Sequence, residues 1–225
     1  MKDLKGYNLD NLINLYFFDP KKDRNKYINF YKRSIKDRYK KEKGYRYSNI
    51  YLLRKDIKFC LGLNKSFSDC PKEIKNEITY FGAIILINTA IDLIVSKIFN
   101  GNYIRFTKKY LKIENDEYAK ALRYLRNGLV HNYSLYCYAE NNNKYFKKGE
   151  KVYFNLDFYN ELISKNLKWK RKYSSSMYNI NPRILYSRFV NAIEFYKKEL
   201  LDRKNNKLRL EFKDGVDIDN WILLV

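Results

Sequence analysis

The strongest helical signal of this 225-residue chain lies between Pro71 and Phe99. Proline suits the first turn of a helix and glycine the position just past its end, so Pro71 and the pair Asn100-Gly101 mark the two boundaries. The apolar residues with helical spacing in this segment are Ile74, Ile78, Phe81, Ile85, Ile91, Ile94 and Ile98. Polar residues interrupt the run, among them Asn88 and Asp92, and this favours a buried core helix over a membrane span.

Other segments carry the same helical signals, so we predict a mainly α fold, a helical bundle with a small β-hairpin insertion. Helices are expected from about Asp23 to Lys43, Asn49 to Leu61, Pro71 to Phe99, Asn115 or Asp116 to Tyr138, and Arg183 to Arg203. Glycines stop the first two, an asparagine or aspartate caps the fourth, and Asn181-Pro182 begins the last.

Strand signals are confined to the part of the chain after Glu140. The alternating segment Lys151–Leu156, with turn signals at Asn141–Asn143 and Lys148-Gly149, predicts the hairpin. Residues 166–180 are basic and serine-rich and are expected to form a loop, whereas Lys207–Phe212 is expected to be a last strand.

Neither an internal repeat nor a flexible linker divides the sequence, so we expect one domain over residues 1–225. It would contain a basic helical N-terminal region (1–70), core helices (71–140), and a hairpin, loop and closing helix (141–225).

The charge of the chain points to a polyanionic partner. It has 46 Lys+Arg against 25 Asp+Glu, a formal net charge of +21. Such a surplus repels itself unless it is screened, and nucleic acid is the natural partner because phosphate neutralisation supplies most sequence-independent affinity. The abundance of Lys, Asn, Ile and Tyr is also typical of proteins from AT-rich genomes, so the charge alone does not decide between these explanations.

Cysteine and histidine usage argues against a metal site. Cys60, Cys70 and Cys137 cannot all pair, no CxxC spacing occurs, and a single histidine does not complete a zinc-type ligand set. We therefore expect no metal and no cofactor. No signal-peptide pattern follows Met1, so a cytoplasmic location is expected and no membrane partner.

His131, the only histidine of the chain, lies in the segment Arg126-Asn127-Gly128-Leu129-Val130-His131. Histidine is the side chain whose ordinary pKa, roughly 6.5, allows proton transfer near neutral pH. On a helical wheel Asn127 and His131 are neighbours on a polar face, whereas Arg126 lies about 140° away from His131 and roughly 7.5 Å below it. Within one chain the two side chains should point partly apart. Across a two-fold axis, two such helices could share one cleft.

Two further residues bear on this helix. A mid-helix glycine such as Gly128 costs about 1 kcal/mol relative to alanine, which suggests that a second helix packs tightly beside His131; the alternative is that the glycine is tolerated there without a structural reason. Asp92 of the long apolar helix could pair with Arg123 or Arg126, although an ordinary buried ion pair or a solvent-facing position explains the aspartate equally well.

The helix that contains His131 should bury a stripe formed by Tyr118, Leu122, Leu125, Leu129, Tyr133 and Tyr136.

The segment from Leu125 to His131 resembles the R-x4-6-H signature of the HEPN superfamily, with the polar residue that often follows the arginine present as Asn127. The resemblance covers about residues 73–140 and extends to the closing helix at 183–203. It implies an all-α bundle that dimerises and acts as a metal-independent endoribonuclease in toxin–antitoxin, abortive-infection or CRISPR-associated defence systems. Some members of the superfamily are catalytically inactive binding modules.

The resemblance implies a function as an RNA-cleaving toxin or antiviral defence effector. His131 would act as base or acid, Arg126 would bind phosphoryl oxygens, and Asn127 would orient His131 or hold a phosphate oxygen. Weaker candidates for substrate binding are Arg123, Tyr124, Ser134 and Tyr138. Packing in the core or at the surface is the alternative role for the two tyrosines and the serine. The expected partners are RNA (tRNA or mRNA), a second copy of the chain, and an antitoxin or defence protein.

Two other functions remain open at this point. One is a non-catalytic RNA-binding or dimerisation module of the same fold, in which His131 packs or touches phosphate. The other is a basic DNA-associated regulator, for which no helix-turn-helix pattern argues.

Overall fold

The computed structural model of the chain describes residues 8–17, 46–61, 72–99, 101–157, 161–166, 175–215 and 222–224. Within these ranges the chain forms seven helices and six strands. The helices are α1 (Leu9–Tyr16), α2 (Asn49–Cys60), α3 (Lys72–Ile98), α4 (Tyr103–Lys109), α5 (Asp116–Asn132), α6 (Pro182–Leu201) and α7 (Asn206–Gly215). The strands are β1 (Arg46–Ser48), β2 (Tyr136–Tyr138), β3 (Lys151–Leu156), β4 (Ile163–Lys165), β5 (Ser175–Ile180) and β6 (Ile222–Leu224).

The predicted helices at 49–61, 71–99 and 183–203 are confirmed as α2, α3 and α6. The helix expected from Asp23 to Lys43 lies outside the described residues. The chain divides into two compact units, one from residues 1–55 and 196–225 and one from residues 56–195. That the whole chain is one domain stays a prediction.

The first unit pairs β1 with β6 antiparallel and contains α1 and α7. The strand predicted at Lys207–Phe212 is wrong, because this segment belongs to α7. Leu208 and Phe212 are its buried residues, and their four-residue spacing brings both onto one face of a helix. The ring of Phe212 packs edge-on against Tyr16 at a centroid distance of 5.3 Å.

Helix α3 provides the core of the second unit. Ile84, Ile87, Ile91 and Ile94 are fully buried, whereas Phe81 and Ile85 of the predicted stripe are only half-buried. Asn88, one of the polar residues that interrupt the apolar run, is also buried, and its side-chain Oδ1 accepts a hydrogen bond from the Tyr103 hydroxyl at 3.0 Å. Within the described part of the chain, no helix is both long and apolar enough to cross a membrane.

The second unit also contains a four-stranded mixed sheet, so the prediction of a helical bundle with only a hairpin insertion is wrong. The strand order is β2-β3-β5-β4, with β3 and β5 parallel and the outer pairs antiparallel. The predicted strand at Lys151–Leu156 is confirmed as β3. The loop expected at 166–180 is wrong for residues 175–180, which form β5.

Strand β5 could not be recognised in the sequence because residues 175–180 do not alternate between apolar and polar types. Ser176, Tyr178 and Ile180 are all buried, and a serine at a core position breaks the usual pattern. The Ser176 hydroxyl is accommodated there because it donates to Oε1 of the buried Glu150 at 2.6 Å. The hydrogen bond to Glu150, a residue distant in sequence, is what makes a serine at position 176 compatible with the buried face of a strand.

Helix α5 is shorter than predicted, since it ends at Asn132 rather than near Tyr138. Tyr133 adopts the left-handed conformation with φ of 51°, and the chain then turns back into β2. Tyr133 and Tyr136 were expected in the buried stripe of this helix, but they lie beyond its end and are 73% and 36% exposed.

Candidate active site

Helix α5 carries the residues of the candidate site and begins at the predicted cap. The side-chain oxygen of Asn115 accepts hydrogen bonds from the backbone N–H groups of Glu117 and Tyr118, which otherwise lack partners in a first helical turn. Leu122, Leu125 and Leu129 are buried, and the helix packs against α3, α4, β2 and β3. The remaining face therefore has a fixed orientation relative to these elements.

Arg126 contacts His131 within a single chain, although the two side chains were expected to point partly apart. Its Nη1 lies 3.3 Å from His131 Nε2 and donates a hydrogen bond to Asn127 Oδ1 at 2.9 Å. The angle on the helical wheel gives only the direction in which each side chain leaves the helix, not how far it extends. The long arginine side chain reaches across Asn127, which lies between the other two on the wheel, and so closes the gap.

The contact with Arg126 is compatible with one tautomer of the His131 ring. A guanidinium group only donates hydrogen bonds, so the matching tautomer accepts at Nε2 and carries its proton on Nδ1. His131 is an exposed residue, so a ligand can reach its ring, while Nε2 itself is in contact with Arg126.

Asp92 of α3 holds the other end of the guanidinium group. Its Oδ2 accepts a hydrogen bond from Arg126 Nη2 at 2.5 Å, in an ion pair whose side chains are 32% and 19% exposed. Of the two partners considered for Asp92, the structure therefore selects Arg126. The Nε of Arg126 is buried and has no hydrogen-bond partner among the described residues, so it retains a donor.

Asn127 is buried and connects this arginine to a second carboxylate. Its Nδ2 donates to Glu140 Oε1 at 3.2 Å while its Oδ1 accepts from Arg126. Glu140 follows β2 and was not predicted, because no spacing rule relates it to α5. We call Asp92, Arg126, Asn127, His131 and Glu140 the Arg126 cluster.

Gly128 is required by the chain that follows α5, not by a second helix as predicted. A Cβ atom at this position would lie 2.4 Å from the Tyr136 backbone oxygen and 2.9 Å from that of Ser134. The Gly128 carbonyl oxygen also accepts hydrogen bonds from the N–H groups of Tyr133 and Ser134. The glycine thus allows the chain leading into β2 to pass closely over the C-terminal part of the helix.

The weaker candidates are placed in different environments. Arg123 and Tyr138 are exposed, the latter by 55%. Tyr124 is 8% exposed, and its ring packs edge-on against Phe146 at 5.1 Å, which is a core position. The Ser134 hydroxyl donates to the Tyr136 backbone oxygen at 2.9 Å and so stabilises the turn after α5.

Metal ligands are not clustered in the described part of the chain, where no group of three His, Cys, Asp or Glu residues is placed to hold an ion. Comparisons with protein-family models, curated proteins and solved structures give no match to this chain. The resemblance to the HEPN superfamily therefore stays a prediction that depends on the residues of α5.

Proposed function

We propose that this chain is a metal-independent endoribonuclease of the HEPN type, acting in the cytoplasm as a toxin or antiviral defence effector. The observation that carries the proposal is the 3.3 Å contact between Arg126 Nη1 and Nε2 of the exposed residue His131. It combines a permanent positive charge with a proton acceptor on one accessible surface. The transesterification of RNA requires these two groups.

RNA supplies its own nucleophile in this reaction. His131 Nε2 takes the proton of a ribose 2′-hydroxyl, the 2′-oxygen attacks the adjacent phosphorus, and the bond from phosphorus to the 5′-oxygen breaks. A protonated second histidine donates a proton to the departing 5′-oxygen. The products are a 2′,3′-cyclic phosphate and a free 5′-hydroxyl, so atoms and protons balance without an added cofactor.

Arg126 would change partners when substrate binds. In the free protein its Nη1 donates to His131 Nε2, the atom that must accept the 2′-hydroxyl proton. A phosphoryl oxygen is a stronger acceptor than a neutral imidazole and would attract that donor. The exchange frees the lone pair of Nε2 and places the guanidinium charge on the developing phosphorane.

Asp92 and Asn127 would act as positioning residues. They bind Nη2 and Nη1 of Arg126 and thereby fix the plane of the guanidinium group. The Asp92 carboxylate also compensates the arginine charge, so attraction of RNA to this site depends on the net charge of +21 carried by the whole chain.

A homodimer would supply the second histidine. One histidine cannot act as base and acid at the same time, so in a two-histidine scheme the second histidine comes from a partner subunit. We therefore expect a composite active site across a two-fold axis, and a solution mass twice that of the 27.4 kDa chain.

The test is cleavage of total RNA or tRNA by the purified protein with and without EDTA. We expect His131→Ala and Arg126→Ala each to abolish cleavage, EDTA to have no effect, and the products to end in 2′,3′-cyclic phosphate. Asn132→Ala is the matched control, because Asn132 is the exposed residue next to His131 and should be dispensable. Full activity of His131→Ala refutes the proposal.

A non-catalytic RNA-binding module is the second candidate, and the pairing of Arg126 with Asp92 favours it, because a compensated arginine serves as a structural link. Salt-sensitive RNA binding without cleavage, unchanged in His131→Ala, would identify that function.

A further inference from the structure

The outer face of the sheet carries three tyrosines and a lysine beside the Arg126 cluster. In the antiparallel pair of β2 and β3, Tyr136 lies opposite Tyr153 and Tyr138 lies opposite Lys151. Since side chains alternate along a strand, these four residues share one face. The other face is occupied by Cys137, Val152 and Phe154, all of which are buried. We call Tyr136, Tyr138, Lys151 and Tyr153 the tyrosine face.

The rings of the tyrosine face lie close together and are accessible. Tyr136 is 36% and Tyr138 is 55% exposed, although large aromatic side chains normally bury most of their surface. The ring centroid of Tyr136 lies 6.2 Å from that of Tyr138 and 5.8 Å from that of Tyr153. The Lys151 ammonium group lies between them, at 4.0, 4.8 and 5.7 Å from the centroids of Tyr136, Tyr153 and Tyr138.

The tyrosine face adjoins the Arg126 cluster through the backbone. The Tyr136 carbonyl group lies against Gly128 in the last turn of α5, the turn that also contains His131. Two residues beyond the end of β2, Glu140 accepts a hydrogen bond from Asn127. Tyr136 and Glu140 are therefore both in contact with the part of α5 that carries the candidate catalytic residues.

We propose that the tyrosine face binds unpaired bases of single-stranded RNA by stacking, with Lys151 moving from the rings to a backbone phosphate. Aromatic side chains on an open strand surface accept any base, because every base has a π-face. In a duplex the bases already stack on one another, so the proposal specifies single-stranded RNA as the substrate class. It rests on the proposed function only in assigning the bound RNA to the cleavage site.

The exchange of Lys151 for a base is favourable on known magnitudes. An exposed contact between an ammonium group and a ring contributes about two- to fivefold to an equilibrium constant. Lys151 makes one such contact with each of three rings, so the comparison is made ring by ring, with one base stacking on each ring that loses the lysine. Stacking of one base on an aromatic side chain contributes about five- to 150-fold, and the displaced ammonium group gains a phosphate partner. Bases should therefore displace the lysine from the rings.

The combination of accessible rings and positive charge favours nucleic acid over an acidic protein surface as the occupant. Lys151 is the cation of the face, and the whole chain carries a net charge of +21. Stacking platforms interleaved with basic residues are typical of proteins that bind single strands. A protein partner on the same face would depend on the tyrosines without requiring a nucleic acid, which the experiment distinguishes.

The experiment measures fluorescence anisotropy of labelled oligo(U) RNA in the His131→Ala background, so that binding is read without cleavage. We expect Tyr138→Ala to weaken binding by about tenfold and Tyr138→Phe to retain it, because stacking needs the ring and not the hydroxyl. The oligo(U)·oligo(A) duplex should bind without dependence on Tyr138. Circular dichroism spectra and melting curves establish that each variant is folded.

Phe195→Ala is the matched control for loss of an exposed ring. Phe195 is 39% exposed and has the Lys112 ammonium group 4.9 Å from its centroid, but it lies on α6 rather than on the sheet. It should bind oligo(U) like the parent protein. Lys151→Gln should reduce the slope of log affinity against log salt by about 0.7, whereas Tyr138→Ala should leave that slope unchanged.

The outcomes separate this inference from the proposed function. Tyr138-dependent binding of oligo(U) supports the inference even if the wild-type protein cleaves no RNA. Equal affinity of Tyr138→Ala and its parent overturns the inference even if cleavage is observed. Absence of oligo(U) binding by a folded parent, or equal dependence of the duplex on Tyr138, also overturns it.

Discussion

Replacing Gly128 by alanine tests whether β2 really crosses the end of α5. Helix propensity alone predicts that alanine in the middle of a helix stabilises the protein by about 1 kcal/mol relative to glycine. The structure predicts the opposite sign. The new Cβ would lie 2.4 Å from the Tyr136 backbone oxygen, a separation that real Cβ atoms do not show.

The size of the destabilisation expected for Gly128→Ala follows from the displacement of the Tyr136 backbone. An ordinary contact requires about 3.4 Å, so the Tyr136 backbone must retreat by about 1 Å, and overpacking of this kind costs about 1–3 kcal/mol. The retreat also strains the hydrogen bond from the Ser134 hydroxyl to the Tyr136 oxygen, which contributes about 1 kcal/mol. After subtraction of the propensity gain, Gly128→Ala should lower the free energy of unfolding by about 2 kcal/mol.

Urea denaturation followed by circular dichroism measures this change, and Gly82→Ala is the matched control. Gly82 lies within α3, and a Cβ there would meet only the Cys60 sulfur at 3.5 Å, an ordinary van der Waals distance. We expect Gly82→Ala to be stabilising by about 1 kcal/mol. If Gly128→Ala stabilises the protein as much as Gly82→Ala does, the close approach of β2 to α5 is refuted.

Two further predictions concern ion pairs of the second unit. Asp92→Ala should lower the cleavage rate by about tenfold or more in a single-turnover assay, because Arg126 loses a charge-assisted hydrogen bond. Asp92→Asn retains an acceptor and should restore most of the rate. Equal cleavage rates for Asp92→Ala and the wild-type protein would contradict the positioning role. Burial raises the pKa of Glu117, but hydrogen bonds from Lys165 and Tyr178 outweigh this effect and hold the pKa below its usual range. The Glu117 carboxylate therefore stabilises the fold at pH values above its ordinary pKa of about 4.3, and this stabilisation is lost as the pH falls below that value. Glu117→Gln should make the melting temperature fall less steeply over the same acidic range.

The sequence predicted those elements whose signals are local. Helix α3 follows from its apolar spacing between Pro71 and Gly101, and the start of α5 follows from the cap at Asn115. Such signals act within one or two turns of chain, so they can be recognised without knowledge of distant residues. The choice of His131, Arg126 and Asn127 as candidate residues also depends on local spacing, and their function stays a prediction.

The end of α5 could not be predicted in this way. No glycine follows Asn132, and the left-handed residue is Tyr133, whose ring packs edge-on against Phe81 of α3 at 5.2 Å. That contact joins residues far apart in sequence and offsets the unfavourable backbone conformation of a non-glycine residue. The helical prediction to Tyr138 failed because nothing nearby in the chain marks this stop.

The sequence by itself determined the main helices and the residue types available for chemistry on α5. The tertiary structure alone decided that Ser176 lies inside a sheet, that Asp92 rather than solvent binds Arg126, and that Arg126 reaches His131. The physical reason is the range of the interactions. Caps and periodicity act between neighbours along the chain, whereas buried hydrogen bonds and ion pairs form only when packing brings distant segments together.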